Sequence, residues 1–180
     1  MSDKPLTVTR AALLDAGSDA HFREFLHSFM VFARCIEGVR DCLAKQIGVT
    51  APQYEILSHL RQTRLGTGLT VSEIAERLHC SGPFATTEVG KLHRLGLIAK
   101  RRDPLDARRV HVTITGHCEQ RFKSIAPLQR RLNDTLFESI GSRDFRVIHR
   151  VFSRLVFDGD RAIGLAASIR IQGETQRAAG

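Results

Sequence analysis

Residues 69–116 read LTVSEIAERLHCSGPFATTEVGKLHRLGLIAKRRDPLDARRVHVTITG, and this stretch decides the fold. It predicts two short helices, a tight turn between them and a basic β-hairpin, which together make a helix-turn-helix with a wing. Thr70 and Glu73 have the spacing of a capping box, so the first helix is expected to begin at Thr70. Its apolar residues recur at spacings of three and four and predict one buried face: Val71, Ile74, Ala75 and Leu78.

The second helix of the pair is the predicted recognition helix. It follows a turn in which His79 takes the left-handed position, and Ser81 caps it. Its buried stripe is predicted to consist of Ala85, Val89 and Leu92. The outer face carries small, polar and basic groups that suit the base edges and phosphates of a major groove. The residues of this helix that we expect to contact DNA are Ser81, Pro83, Phe84, Thr86, Thr87 and Lys91.

The wing is predicted from two runs with strand character, residues 97–101 and 110–114, joined through a turn at Asp103-Pro104. Seven Lys or Arg and two Asp lie between Lys91 and Arg109. A solvated amphipathic helix would share the pattern of the recognition helix, but a hairpin this basic beside it favours contacts with phosphates or a minor groove. The wing residues expected to contact DNA are Arg101, Arg102, Arg108 and Arg109.

The same segment resembles the winged helix of the multiple antibiotic resistance regulator (MarR) family. The likeness rests on a GLI strand at 96–98, a DPxDxR wing pattern at 103–108 and a strand end at Ile114-Thr115. The resemblance implies a winged helix-turn-helix transcription regulator, in which Arg108 reaches the minor groove and Asp106 braces the wing arginines. Glu88 departs from the family pattern, which usually has an apolar or basic residue at this place on the recognition helix. A carboxylate there opposes phosphate unless an arginine pairs it.

The chain of 180 residues has a net charge of +8 and a pI near 10, which favours a polyanionic partner such as double-stranded DNA. The first 68 residues hold eight basic and seven acidic groups, so the excess of positive charge lies in the winged segment and beyond it. The alternative is a cationic surface that only keeps the protein soluble.

Several other classes of protein are not expected. The four cysteines, Cys35, Cys42, Cys80 and Cys118, form no CxxC pair, which favours reduced thiols in a cytoplasmic protein. A basic and then apolar leader and a stretch of about 18 apolar residues are both missing, which argues against secretion and membrane insertion. No nucleophile elbow, phosphate loop or metal-binding spacing occurs, so we expect no enzyme, no cofactor and no metal site.

Helical periodicity flanks the winged segment on both sides. One long amphipathic helix is predicted over residues 19–46, and a second capping box at Thr50 and Gln53 begins another helix. After the wing, the sequence predicts a long helix interrupted by Pro127 and a further helix capped by Ser142. The expected fold class is mainly α with a small β-hairpin wing. The predicted segments are an N-terminal arm (1–18), dimerisation and pocket helices (19–62), the winged DNA-binding domain (63–116), C-terminal dimerisation helices (117–160) and a C-terminal tail (161–180).

Neither terminal helical block has a partner in the chain large enough to cover its apolar residues. We therefore expect a homodimer, which would set two recognition helices about one DNA turn apart over a roughly palindromic site. The alternative is a monomeric helical bundle appended to a winged helix.

The resemblance also implies an effector pocket between the dimer helices and the winged domain. In the first helix His27, Val31 and Arg34 share a face, and Tyr54 and Ser58 of the second helix could meet them. A guanidinium can grip a carboxylate with two hydrogen bonds while apolar walls hold a ring, so this set favours a small aromatic carboxylate or phenolic effector. Such an effector would release a repressor from its operator. The alternative is that Arg34 is a surface residue and that the others are packing residues.

Two further kinds of DNA-binding protein stay open. One is a thiol-based redox sensor with Cys80, near a helix N-terminus, as its candidate, although a small buried residue in the turn explains Cys80 more simply. The other is an architectural DNA binder that has no effector.

Overall fold

The computed structural model describes residues 5–63, 68–103, 106 and 109–178. Within these residues the chain forms six α-helices and one two-stranded antiparallel sheet, after a short 3-10 turn at Ala11–Leu13. The helices are α1 (Ala20–Gln46), α2 (Ala51–Gln62), α3 (Val71–Arg77), α4 (Gly82–Arg94), α5 (Gly116–Leu136) and α6 (Ser142–Ala178), and the strands are β1 (Ile98–Arg102) and β2 (Val110–Ile114). The predicted fold class, mainly α with a β-hairpin wing, is confirmed.

The chain divides into two compact units, Met1–Leu136 and Phe137–Gly180. In the first unit, α1 to α5 and the sheet share one hydrophobic core. Its largest fully buried side chains include Leu57 of α2 and Phe122 of α5, and replacing such a residue by Ala typically costs about 2–5 kcal/mol. The second unit consists of α6 and the turn before it, and none of its described side chains is buried.

Side-chain caps begin α2, α3 and α4, as the sequence predicted. The hydroxyls of Thr50 and Thr70 accept hydrogen bonds from the amides of Gln53 (3.4 Å) and Glu73 (3.2 Å). The side chains of Gln53 and Glu73 return to the amides of Thr50 (3.1 Å) and Thr70 (2.7 Å), which completes both capping boxes. Ser81 caps α4 by accepting from an amide of the first turn. Each cap is worth about 1 kcal/mol, because it satisfies amides that the first turn leaves unpaired.

Helices α1, α3 and α4 also end in one common geometry. Each is followed by a residue of positive φ: Gly48, His79 (φ 47°) and Gly96. The next amide then bonds to a carbonyl five residues back, as Cys80 does to Ala75 at 3.0 Å. This Schellman geometry satisfies carbonyls that the last turn leaves unpaired. The left-handed turn predicted at His79 is confirmed.

The wing is tied by backbone hydrogen bonds to the start of the helix-turn-helix. Leu69, two residues before α3, exchanges hydrogen bonds with Val112 of β2 at 2.7 and 3.0 Å. Gly68 permits this close approach, because its φ is 63° and a Cβ there would lie 2.5 Å from the Val112 carbonyl oxygen. Backbone hydrogen bonds therefore hold the β-hairpin and the residues that lead into α3 together as one unit.

Helix α5 attaches the wing to α1. Arg121 donates from Nη1 to the carbonyl of Ile47, just after α1, at 2.6 Å. Pro127 lies inside α5, yet the helix continues to its end at Leu136. Because Pro127 has no amide hydrogen, the helix loses only the hydrogen bond that this position would donate to a carbonyl of the preceding turn.

Helix α6 is longer than the sequence indicated, because residues 161–178 continue it to Ala178 where a tail was expected. Apolar residues such as Ile163 and Leu165 continue past the expected end, and the alanines that suggested a tail favour helix more than any other residue. Gly159 and Gly164 each cost about 1 kcal/mol relative to Ala, which the rest of the helix offsets. Among the described residues, no helix combines the length and the apolarity that a membrane span requires.

The N-terminal arm is attached to the start of α1. The buried Asp19 carboxylate accepts hydrogen bonds from the amide and the hydroxyl of Thr7, both at 2.7 Å, and it also pairs with Arg23. These contacts, above all the Thr7 amide, hold the pKa of the Asp19 carboxyl below its usual range. The sequence did not indicate this attachment, because it depends on one contact, between Thr7 and Asp19, and a single pair of residues leaves no recurring pattern.

Candidate nucleic-acid interface

Helix α4 separates a buried face from an exposed one. Ala85, Val89 and Leu92 are 0 % exposed, which confirms the predicted buried stripe. The predicted DNA-contact residues of this segment are all exposed: Ser81, Pro83, Phe84, Thr86, Thr87 and Lys91. The helix thus presents the predicted DNA face to solvent, and the contacts themselves stay a prediction.

Two threonines on the exposed face direct their hydroxyl hydrogens to the helix itself. Thr86 Oγ1 donates to the Gly82 carbonyl at 2.8 Å, and Thr87 Oγ1 donates to the Pro83 carbonyl at 2.9 Å. Each hydroxyl oxygen can still accept a hydrogen bond, as from the exocyclic amine of adenine or cytosine. The methyl group of threonine also suits contact with the thymine methyl group.

Glu88 lies on the buried side of α4 and is 6 % exposed. Its carboxylate accepts hydrogen bonds from Gln53 Nε2 of α2 (2.8 Å) and from Lys91 Nζ (2.7 Å). The hydrogen bond from Lys91, helped by that from Gln53, holds the pKa of Glu88 below its usual range in spite of burial. The expectation that Glu88 opposes phosphate unless an arginine pairs it is therefore corrected, because a lysine pairs it and the core covers it.

The wing carries exposed cations. Arg101 and Arg102 lie at the end of β1, and both are exposed. Arg109, just before β2, is exposed as well, and its Nη2 lies 3.7 Å from Glu73 Oε1 of α3. Arg108 lies outside the described residues, so its minor-groove contact stays a prediction.

Asp103 organises the described part of the wing turn. Its carboxylate lies 2.8 Å from His111 Nε2 and accepts from the Asp106 amide at 3.2 Å. The Asp103 amide donates to the Arg109 carbonyl and the Arg109 amide to the Asp106 carbonyl, each at 2.9 Å. Asp106 therefore contacts one wing arginine through its backbone, and its predicted side-chain brace stays a prediction.

The predicted effector residues occupy different environments. Tyr54 is buried, with its ring centroid 5.6 Å from that of Phe122, and burial raises the pKa of its phenol. Ser58 donates its hydroxyl to the Tyr54 carbonyl at 2.8 Å. His27 and Val31 lie exposed on α1. Within this chain Tyr54 thus serves as a core residue.

Arg34, the fifth predicted effector residue, lines a cleft of about 530 Å³ between α1 and α2. The other lining residues are Glu37, Gly38, Arg40, Asp41, Ala51, Pro52 and Glu55. Arg40 Nη1 donates to Glu55 Oε1 at 3.2 Å and so joins the two walls. The sequence did not point to Arg40 and Glu55, because residues 15 positions apart meet only after the two helices pack.

The cysteines differ in exposure. Cys35 and Cys42 are exposed on α1, Cys80 is partly buried, and Cys118 is buried in α5. Burial raises the pKa of the Cys118 thiol to about 11, so it is poorly reactive. Among the residues that the structure describes, no three His, Cys, Asp or Glu side chains group in a way that could hold a metal ion.

The start of α3 is tied through Leu69 to a basic hairpin, and the Ser81-capped helix α4 follows α3. These elements define a winged helix-turn-helix. Residues 47–109 match the model of the MarR family. The central segment of the chain is therefore similar to the MarR family.

The fold is also similar to solved structures. A MarR protein from Peptoclostridium difficile has 17 % sequence identity and a TM-score of 0.63, over 82 % of this chain and 93 % of that one. Sco3205, a MarR family transcriptional regulator from Streptomyces coelicolor solved in complex with DNA, has 18 % identity and a TM-score of 0.65, over 78 % and 91 %. The DNA complex of Staphylococcus aureus MepR has 19 % identity and a TM-score of 0.61, over 74 % and 97 %. No curated protein matches this sequence.

Proposed function

We propose that this protein is a cytoplasmic, homodimeric repressor, which binds a roughly palindromic operator and is released by a small aromatic or phenolic acid. The observation that carries the proposal is the exposed outer face of α4 beside a basic wing, in a segment of the MarR family. A helix of this kind reads base edges in a major groove, while basic side chains of a hairpin bind phosphates or the minor groove.

Phosphate attraction and base reading are expected to come from different parts of the proposed interface. Arg101 and Arg102 at the end of β1, together with Arg108, would supply the attraction to phosphate. Thr86 and Thr87 offer hydroxyl oxygens and methyl groups to base edges and add no charge. Sequence preference is therefore expected to come from α4, and most of the salt dependence from the wing.

A second copy of the chain is the proposed cover for the apolar residues that one chain leaves exposed. Large apolar side chains are exposed on both predicted dimerisation segments, 19–62 and 117–160: Phe25, Leu26, Met30, Val31, Phe145, Phe152, Leu155, Val156 and Phe157. Exposed apolar residues in such numbers are typical of contact surfaces, and soluble homo-oligomers most often have twofold symmetry. Two copies would present two recognition helices to one operator.

The cleft at Arg34 supports the effector part of the proposal. A guanidinium there can bind a carboxylate, while the first turn of α2, with Ala51 and Pro52, forms the opposite wall. The other members of the proposed effector set are His27, Val31, Tyr54 and Ser58. Binding would release the operator if the acid prefers a spacing of the two winged segments that mismatches adjacent major grooves, and that preference sets the size of the effect.

The experiment is to sequence the DNA that the protein retains from a random pool, with and without benzoate or salicylate. We expect a palindromic site and weaker retention with acid. Arg34→Met should keep DNA binding and lose the acid response, whereas Arg10→Met, the same change on the arm, should keep both. A retained pool without symmetry would favour the architectural DNA binder. An operator complex that no acid weakens, in a protein that no acid stabilises against heat, would contradict ligand gating.

The exposure of Cys35 and Cys42 favours a second candidate, a thiol-based redox sensor. If it holds, peroxide releases the wild-type protein from its operator and leaves a variant without the four cysteines bound. Release of both proteins alike would eliminate this candidate.

A further inference from the structure

Glu88 is a buried carboxylate on the helix that is proposed to read DNA. It is 6 % exposed, and both of its oxygens accept hydrogen bonds, Oε2 from Gln53 at 2.8 Å and Oε1 from Lys91 at 2.7 Å. A buried carboxylate without partners is costly, so it is retained in its charged form only because of these two donors. Glu88 thus links Gln53, which is buried, to Lys91 on the exposed face of α4.

Gln53 is fixed at both ends of its amide. Its Oε1 accepts from the Thr50 amide at 3.1 Å in the capping box of α2. Because a carboxylate can only accept, the NH2 end must face Glu88. One side chain therefore closes the first turn of α2 and holds a carboxylate of α4 in place.

Lys91 is in turn held by Glu88. A lysine ammonium is a compact charge on a flexible stem, which is free to reach the nearest phosphate when nothing pairs it. The pairing offsets its charge and occupies one of its three N–H donors. Two donors remain on a half-exposed side chain, and a guanine presents two acceptors, O6 and N7, at its major-groove edge.

We propose that Glu88 is a positioning residue that determines sequence specificity. Gln53 holds Glu88 in place, and Glu88 orients Lys91 so that its ammonium donates hydrogen bonds to a guanine edge instead of binding a phosphate. The inference rests on the proposed DNA binding by α4 and names part of its sequence preference. Glu88 reduces the sequence-independent attraction to phosphate and keeps the base-specific hydrogen bonds, so the ratio of operator binding to random binding rises.

The test is Glu88→Gln, in which Gln can still accept from Gln53 but no longer offsets the charge of Lys91. Affinities are measured for the selected operator and for a random duplex of the same length over a range of salt concentrations. We expect tighter binding of the random duplex and a salt slope that is steeper by about 1 per subunit. The ratio of operator to random affinity should fall about tenfold, and the preference for guanine at one position of each half-site should relax.

Three further variants isolate the effect. Glu76→Gln removes the same charge from an exposed residue of α3, and it should raise both affinities alike and keep their ratio. Gln53→Met removes the support of Glu88 without a change of charge, and it should lower the ratio. In a Lys91→Met background, Glu88→Gln should no longer change the ratio, because the coupling needs both partners.

A folded Glu88→Gln protein with unchanged ratio and salt slope would overturn the inference, and so would an equal loss of ratio in Glu76→Gln. If Glu88→Gln does not fold, Gln53→Met decides in its place. A wild-type protein without preference for any duplex would overturn the proposed function together with this inference, so the two failures are distinguishable.

Discussion

Helices α4 and α6 have similar amphipathic patterns and opposite environments. In α4, the apolar stripe that includes Val89 and Leu92 is 0 % exposed within the core of the first unit. In α6, no described side chain is buried, and Phe157 is 63 % exposed. Periodicity therefore predicts that a helix has an apolar face, but what covers that face depends on the rest of the molecule. The chain itself covers the face of α4, and we propose a second copy for α6.

The largest effect is expected from the buried stripe of α4. Leu92→Ala should lower the free energy of unfolding by about 2–5 kcal/mol, because the surrounding core closes only partly over the missing side chain. Leu95→Ala, the same change at an exposed site three residues further on, should change it by about 0.5 kcal/mol or less. Urea denaturation measures both. Equal losses of stability in the two variants would contradict the prediction, since the buried face of α4 would then stabilise the fold no more than its exposed face.

The next effect concerns α6. Phe152→Asp with Leu155→Asp should weaken self-association by about 100-fold or more, because two charges would enter an apolar contact between copies. Sedimentation equilibrium measures the association, and circular dichroism reports whether the chain stays helical. Arg154→Asp places the same side chain on the opposite side of α6 and should leave association within about threefold. A double variant that stays a dimer would remove this face of α6 from the proposed interface.

A smaller effect is expected from the wing. Arg108→Ala should weaken operator binding by about tenfold and reduce the salt slope by about 1 per subunit, because one phosphate or minor-groove contact is lost. Arg109→Ala should have less effect on the slope, since Glu73 already offsets part of the charge of Arg109. Fluorescence anisotropy at several salt concentrations measures both. Unchanged affinity and slope in Arg108→Ala would exclude Arg108 from the DNA contact.

The smallest effect is the pH dependence of the α3 cap. Hydrogen bonds from the Thr70 amide and hydroxyl lower the pKa of Glu73 from 4.5. The folded state therefore favours the carboxylate, so this stabilisation is complete above pH of about 4.5 and is lost as the pH falls toward the folded-state pKa. Glu73→Gln keeps a capping side chain without the charge. Its melting temperature should lie below that of wild type at pH 7 and approach it at pH 3. The difference in the free energy of unfolding should stay below about 1 kcal/mol, because solvent screens this half-exposed group. A constant difference over this range would contradict the prediction.

The elements that local patterns determine could be predicted from the sequence. The capping boxes at Thr50 and Thr70 and the turn at His79 each depend on residues within a few positions, and all are confirmed. The contact of Gln53 with Glu88 joins positions 35 apart, so no local pattern carries it. The sequence therefore predicted only that Glu88 would oppose phosphate unless an arginine paired it, whereas the fold buries it.

The effector residues could be predicted least, for a related reason. Arg34 lines a cleft beside α2, but which residues lie across that cleft depends on how α1 and α2 pack, and helix spacing does not determine this packing. Tyr54 was predicted as a pocket residue because its phenol group could contact an effector. It lies in the core because Phe122, which is 68 positions away in the sequence, covers its ring.

The two backbone hydrogen bonds between Leu69 and Val112 limit what the proposed effector could move. The wing and the entry to α3 share two backbone hydrogen bonds at a point where Gly68 leaves no room for a side chain. The start of α3 and the hairpin cannot move against each other without breaking these two hydrogen bonds. An effector of the proposed kind would therefore have to move the start of α3 and the hairpin together as one block.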